Sequence, residues 1–217
     1  TVLSTLEIAY ARAHEDAAGS GAHAGYAREM LGVTAVLADL LPDEPEALAF
    51  AALVRLAEAR RPARLDAEGA MVPLDRQDPR LWDKTLIAEG DALLRHAARL
   101  NRSGPRQLRA ALHAAWARRR SLTDPPPWTA ILALYDMLLT WREDPFVRLN
   151  RAVALAEIAG PAAALAEVES LDATRLADFQ PFHAVRADLL ASLGRRDEAL
   201  SAYDRALALG PAEAERL

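Results

Sequence analysis

Apolar residues recur every three or four positions along most of this chain, and the breaks in that rhythm divide it into elements. Val2, Leu3, Leu6, Ala9, Tyr10 and Ala13 share one face of a helix predicted over 1–18, which Gly19-Ser20-Gly21 ends. A second helix is predicted over 22–41 and is stopped by Pro42. Asp43 then reads as an N-cap, Pro45 as a first-turn residue and Glu46 as a capping-box partner for a helix over 47–60, with Leu48, Ala51, Ala52, Leu56 and Ala59 as its buried stripe. Between 61 and 77 the rhythm fails: ARLDAEGAMVPL reads as two short extended pieces around Asp66-Ala67-Glu68-Gly69, a small β-hairpin or ordered loop inserted in a helical array. Asp78-Pro79 opens a helix expected to reach Leu100, and Ser103-Gly104-Pro105 separates it from one over 106–119. The stiff connector Asp124-Pro125-Pro126-Pro127 precedes a helix over 128–141.

The last part of the chain carries a sharper signal. QPFHAVRADLLASLGRRDEALSAYDRALALGP, from Gln180 to Pro211, places its residues where a tetratricopeptide-type helical hairpin needs them. Small Ala187 sits at the helix crossing, Gly194 at the turn, then come Ala199, Tyr203 and Ala206, with Pro211 closing the unit. Gly194 is expected in the left-handed conformation that ends the first helix, and Tyr203 to fill the gap at the next turn. One step of roughly 34 residues back puts Gly160 under Gly194, and two steps take Tyr203 to Tyr135. A single hairpin cannot bury its own apolar face, so stacked neighbours are required. The prediction is an all-α, tetratricopeptide-like α-solenoid of about ten helices. Residues 1–144 form a degenerate helical-repeat region with the insertion near 61–77, continuous with two better repeats over 145–217.

Composition narrows the function classes. The formal net charge of −5 argues against a chain-wide nucleic-acid surface. There is no cysteine, which removes disulfides, thiolate metal sites and a cysteine nucleophile, and fits a reducing cytoplasm. No apolar run is long enough to cross a bilayer, so no membrane partner is expected. The five histidines lack a metal-ligand spacing, and the glycines form neither a GxGxxG nor a Walker loop nor a GxSxG elbow, so no cofactor and no metal is expected. The opening without methionine and the helical tail after Pro211 read as the edges of a piece of a longer polypeptide.

Two polar constellations stand out. Arg60, Arg61 and Arg64 precede Asp66, while Asp75, Gln77, Asp78, Trp82 and Asp83 follow the insertion. Folding back would bring guanidinium forks to carboxylates and lock the insertion in place, or leave some arginines to bind an acidic partner. Arg148, Asn150, Arg151 and Arg186 lie on the first helices of the two better repeats, the helices that line the groove of such arrays. Asn150 suits a peptide backbone or a bond between neighbouring helices. Arg118-Arg119-Arg120 reads as a helix end carrying cations against the dipole.

Five phrases resemble, in this order, one known group of proteins: LLPDEPEALAFAALV from Leu40, EARRPARLDAEG from Glu58, LDRQDPRLWDKTLIAEGDALL from Leu74, ALYDMLLTW from Ala133 and VRLNRAVALAEIAGPAAAL from Val147. They are similar to the C-terminal tetratricopeptide-like extension of extracytoplasmic-function sigma factors of the sigma-70 family. Leu6-Glu7-Ile8-Ala9-Tyr10 departs from that group's Phe-Asn-Glu-Gly-Tyr-like phrase and keeps only the tyrosine. The resemblance implies a non-enzymatic regulatory and interaction module whose partners are the N-terminal sigma regions, core RNA polymerase or both, with promoter DNA bound only by regions outside this chain. Two other readings stay open: a free-standing peptide-binding adaptor unrelated to transcription, and a carboxylate-based hydrolase on a helical array.

Overall fold

The computed structural model describes residues 2–15 and 25–210. Among them the chain is all-α, with eleven α-helices, three short 3-10 turns and no β-strand. The helices fall into two compact units, one ending at Pro126 and one beginning at Pro127. The division therefore lies in the proline connector rather than at 144/145, because the helix after the connector packs on the repeats that follow it.

The first unit contains α1 (Val2–Glu15), α2 (Tyr26–Leu40), α3 (Pro45–Glu58), α4 (Lys84–Arg99) and α5 (Pro105–Ala117). Here α3 is the centre, packed by α1, α2, α4 and α5. Its sequence PEALAFAALVRLAE is apolar on every side, and all of its residues but Glu46 and Leu53 are buried. Alanines at 47, 49, 51, 52 and 57 let neighbouring backbones come close, while Phe50, Val54 and Leu56 fill the intervening space. Buried Arg55 ties three helices together through Glu89 Oε2 on α4 (3.0 Å), Thr34 Oγ1 on α2 (3.4 Å) and the Ala51 carbonyl (3.2 Å).

The start of α3 differs from the expected capping box. Glu44 holds the cap position without a side-chain cap. Glu46 instead turns outward and accepts from the backbone N–H groups of Arg106 (3.1 Å) and Gln107 (3.4 Å), so it caps α5. Gly104 makes the approach possible, since a Cβ there would lie 2.3 Å from Glu46 Oε1.

The expected hairpin is an ordered loop closed by one antiparallel bridge, Leu65 with Met71. Asp66 Oδ1 draws the chain into a tight turn by accepting from Glu68 N (3.1 Å) and Ala70 N (2.8 Å), which leaves too little extended backbone for strands. Two 3-10 turns follow, Leu74–Arg76 and Pro79–Leu81. Asp78 caps only the second of these, accepting from Arg80 N at 3.0 Å. The long helix waits for a better cap: Asp83 accepts from Thr85 N (2.9 Å) and Leu86 N (3.1 Å), while its own N–H is held by the Ala59 carbonyl (2.8 Å).

The second unit contains α6 (Trp128–Trp141), α7 (Pro145–Ala159), α8 (Pro161–Glu169), the short α9 (Ala173–Leu176), α10 (Gln180–Ser192) and α11 (Arg196–Ala208). Packing runs along the chain, α6 on α7, α7 on α8, α8 on α10 and α10 on α11, as stacked hairpins require. Gly160 (φ +88°) and Gly194 (φ +75°) make the two hairpin turns. Leu149, Leu165, Val168, Leu176, Phe182 and Leu190 are buried between the hairpins, and Ala187 is fully buried at its crossing. Tyr203 differs from expectation: it lies exposed, and its hydroxyl donates to Asp188 Oδ1 at 2.8 Å across the hairpin. Pro211, expected to close the unit, lies outside the described residues.

Candidate functional site

In the first unit α1, α3 and α5 converge on a cleft of about 450 Å³, a volume in the range of small-molecule sites. Ile8 and Ala11 of α1 and Phe50, Leu53 and Ala57 of α3 supply its apolar wall. Arg109 and His113, one turn apart on α5, supply the opposite, polar edge. Glu7 bridges the helices, with Arg106 Nη2 at 2.7 Å and Arg109 Nη1 at 3.5 Å, and Arg106 also reaches Glu46 at 3.5 Å.

Behind this wall lies a buried polar cluster built by the end of α3. The Tyr10 hydroxyl donates to Glu58 Oε1 at 2.7 Å, and Arg61 Nε donates to Glu58 Oε2 at 2.6 Å. Arg64 Nη2 donates to the Ala57 carbonyl at 3.4 Å, and Arg60 Nη2 to His113 Nδ1 at 2.6 Å. Burial, followed by the Glu58 charge, pushes the Tyr10 phenol well above its ordinary range. Burial, followed by the Arg64 charge, pulls Arg60 down to about 10. Burial also lowers Arg64. Arg60 is the unusual member: it is buried, and among the described residues its Nε has no hydrogen-bond partner, while the Glu58 charge partly offsets the cost of burying it.

The carboxylates expected to meet these arginines lie elsewhere. Asp66 closes its own turn, Asp78 pairs with Arg80 Nη2 (2.6 Å), and Asp83 caps α4. Asp75 contributes its carbonyl, which accepts from Arg119 Nη1 at 2.9 Å. Gln77 Nε2 donates to the Val72 carbonyl at 3.0 Å, and Trp82 is buried beneath the Lys84 ammonium, 5.8 Å from the ring centre. Arg60, Arg61 and Arg64 turn inward to α3 and α5 because the backbone leaves α3 through a 3-10 turn that points them back at it.

What locks the insertion is Arg119, from the run expected to set cations against the helix dipole. Arg119 is buried and donates to the carbonyls of Asp75, Leu122 (3.4 Å) and Asp124 (3.1 Å), joining the insertion to the segment after α5. In the run Arg118-Arg119-Arg120 nothing marks the middle residue, since the Asp75 carbonyl that ties it to the insertion lies 44 residues away in sequence.

In the second unit the arginines expected in a groove are engaged between helices. Arg151 of α7 pairs with Asp136 of α6 (2.6 Å) and with Glu167 of α8. Arg148 donates to Ser170 Oγ (2.9 Å) and lies 3.6 Å from both Glu143 and Glu167. Arg186 is 3.6 Å from Glu169, and Asn150 is exposed. A groove of about 290 Å³ does exist, but it is lined by other residues, including Val153, Glu157, Val185 and Asp188. One further surface was not anticipated: Val33, Val36 and Leu40 of α2 are 44%, 58% and 73% exposed and share one face.

These features define an all-α protein of packed helical hairpins, and among the described residues no helix is long and apolar enough to cross a membrane. Residues 1–98, which carry α1 to α3, the insertion and most of α4, match a family of unknown function, DUF6596. Over 191 residues, 87% of this chain, the sequence is 43% identical to an uncharacterized protein of Rhizobium meliloti (strain 1021), 44% of which is covered. The chain thus spans less than half the length of that curated relative. No solved structure matches.

Proposed function

We propose that this chain is the C-terminal regulatory and protein-interaction domain of an extracytoplasmic-function sigma factor, a non-enzymatic module of the machinery that directs RNA polymerase to promoters in the cytoplasm. The observation that carries the reading is where the five resembling phrases fall. They lie on the central helix α3, the insertion and α4, and on α6 and α7, which are scaffold elements of both units rather than one surface motif. The greater length of the Rhizobium protein leaves room in it for two N-terminal sigma regions.

In this reading the domain docks on the N-terminal sigma regions or on core polymerase, and the factor's activity depends on that contact. The exposed apolar face of α2 suits such a contact, because burying Val33, Val36 and Leu40 removes them from water. The inward-turned arginines around Glu58 are poorly placed to serve as a docking surface. Promoter DNA is bound by the N-terminal regions and not by this domain. The test is co-purification with separately expressed N-terminal sigma regions and with core polymerase. Capture is expected, and Val36→Glu with Leu40→Glu should abolish it while leaving helicity intact. Capture of neither partner removes the proposal.

The adaptor reading draws on the groove between α7, α8 and α10. A screen of peptides that yields a Val153-dependent binder, together with failure of the sigma co-purification, would favour it.

A further inference from the structure

We infer that the groove where α7 and α10 end is a binding site for a small organic ammonium with a short apolar body, its chain laid on Val153 and Val185 and its cation held by Glu157 and Asp188. The inference stands on the groove alone and needs neither the transcription reading nor the adaptor reading.

The walls come from the first helices of adjacent hairpins. Val153, Ala156 and Glu157 share one side of α7, and Val185, Asp188 and Ser192 share one side of α10, each set spaced by three or four residues. Pro161 at the start of α8 completes the lining. Val153 is 37% exposed, and Ala156 and Val185 are half-buried, so this apolar surface is open to a ligand. The volume of about 290 Å³ is at the lower end of small-molecule sites and has room for one short chain.

Charge decides the kind of ligand. Glu157 and Asp188 are the charged residues of the lining, both are exposed, and no lysine, arginine or histidine stands among them. The Glu157 carboxylate has no ion-pair or hydrogen-bond partner among the described residues. Asp188 accepts through Oδ1 from the neutral Tyr203 hydroxyl at 2.8 Å, which leaves its charge uncompensated. Arg186 and Arg195, the arginines nearest in sequence to Asp188 and Ser192, are engaged by Glu169 (3.6 Å) and Glu198 (2.6 Å).

The helix ends add to this field. Glu157 and Ser192 lie in the last turns of α7 and α10, the negative ends of both dipoles, and neither last turn carries a basic residue. The helix that begins here, α8, presents Pro161, which has no N–H to offer an anion. A cation is favoured and an anion opposed. A primary ammonium, with three donors, suits a site of two carboxylates.

Titration of the full chain with hexylammonium, hexanol and hexanoate, followed by amide chemical shifts, tests this. Hexylammonium should shift the lining residues of α7 and α10 saturably, with one site per chain. Hexanol, which keeps the chain and loses the charge, should bind about tenfold more weakly, and hexanoate weaker still. Glu157→Gln with Asp188→Asn, at exposed positions where folding is not at stake, should weaken hexylammonium by about tenfold and leave hexanol unchanged. Val153→Trp should fill the groove and weaken both. The methylamide of Nα-acetyl-lysine, which offers the cation as a protein side chain would, should bind no more tightly than hexylammonium. Absence of a saturable shift at the groove, equal affinity for hexylammonium and hexanol, tighter binding of hexanoate, unchanged affinity in the double carboxylate variant, or indifference to Val153→Trp in a variant of normal helicity would each overturn the site. Tighter binding of the lysine derivative would overturn the small ligand in favour of a protein side chain. None of these outcomes depends on whether the sigma regions co-purify.

Discussion

The two units of this molecule bury their helices in opposite ways. In the first, one helix is surrounded: α3 is packed by four others, and its buried polar side chains, Arg55 and Glu58, are both paired. In the second, no helix has that role. Each packs on its neighbours in the chain, and ionic contacts such as Arg151 with Asp136 run along the half-exposed surface. A surrounded helix makes stability collective, since damage to it is felt by every neighbour. Stacked hairpins make it local, since damage spreads to the adjacent repeat and weakens from there.

The contrast is tested most severely at Phe50. Phe50→Ala empties the middle of α3 and should cost about 3–5 kcal/mol, with hydrogen-exchange protection lost together across α2 to α5. Gly194→Ala should cost about 1–2 kcal/mol, because the turn needs a positive φ. Its exchange losses should stay in α10 and α11, and equal losses in α6 would refute the local picture. Next comes alkaline pH. Tyr10 keeps its proton in the folded state above its ordinary value, so the stability it contributes is complete below about pH 10 and falls as pH rises further. Arg60, pulled down to about 10, acts in the opposite sense between there and its ordinary range, so the comparison must be made against Tyr10→Phe. Relative to that variant the native chain should lose about 1.4 kcal/mol per pH unit above 10, read by denaturant titration at each pH. The smallest effect belongs to Arg151→Ala, which removes an ion pair with half-exposed Asp136 and one with the largely buried Glu167, beside which Arg148 stays at 3.6 Å. It should cost about 1 kcal/mol or less, and less again in high salt.

The sequence made the helices legible where proline and glycine punctuate them. The helix over 128–141 has the expected limits, and Gly160 and Gly194 turn the chain as their spacing requires. These signals are local, and a left-handed turn or a proline-led first turn is decided by a few neighbouring residues. The candidate sites were far less legible. Arg60, Arg61 and Arg64 were visible as a cluster, but their direction depends on a 3-10 turn and on His113, more than fifty residues away in sequence. The cleft was hidden because Ile8, Phe50 and Arg109 each look like ordinary helix residues and become one site only when three helices meet.

Glu46 illustrates the same limit and has a consequence for how the protein assembles. Its carboxylate supplies the acceptor that α5 lacks at its own first turn, so the beginning of α5 is completed by a residue translated about sixty positions earlier. During synthesis from the amino end the residue bearing that acceptor is already out of the ribosome when α5 and its donating amides emerge, and the later helix finds its template waiting. Moving α3 behind α5 by circular permutation would keep every native contact and reverse that order of supply.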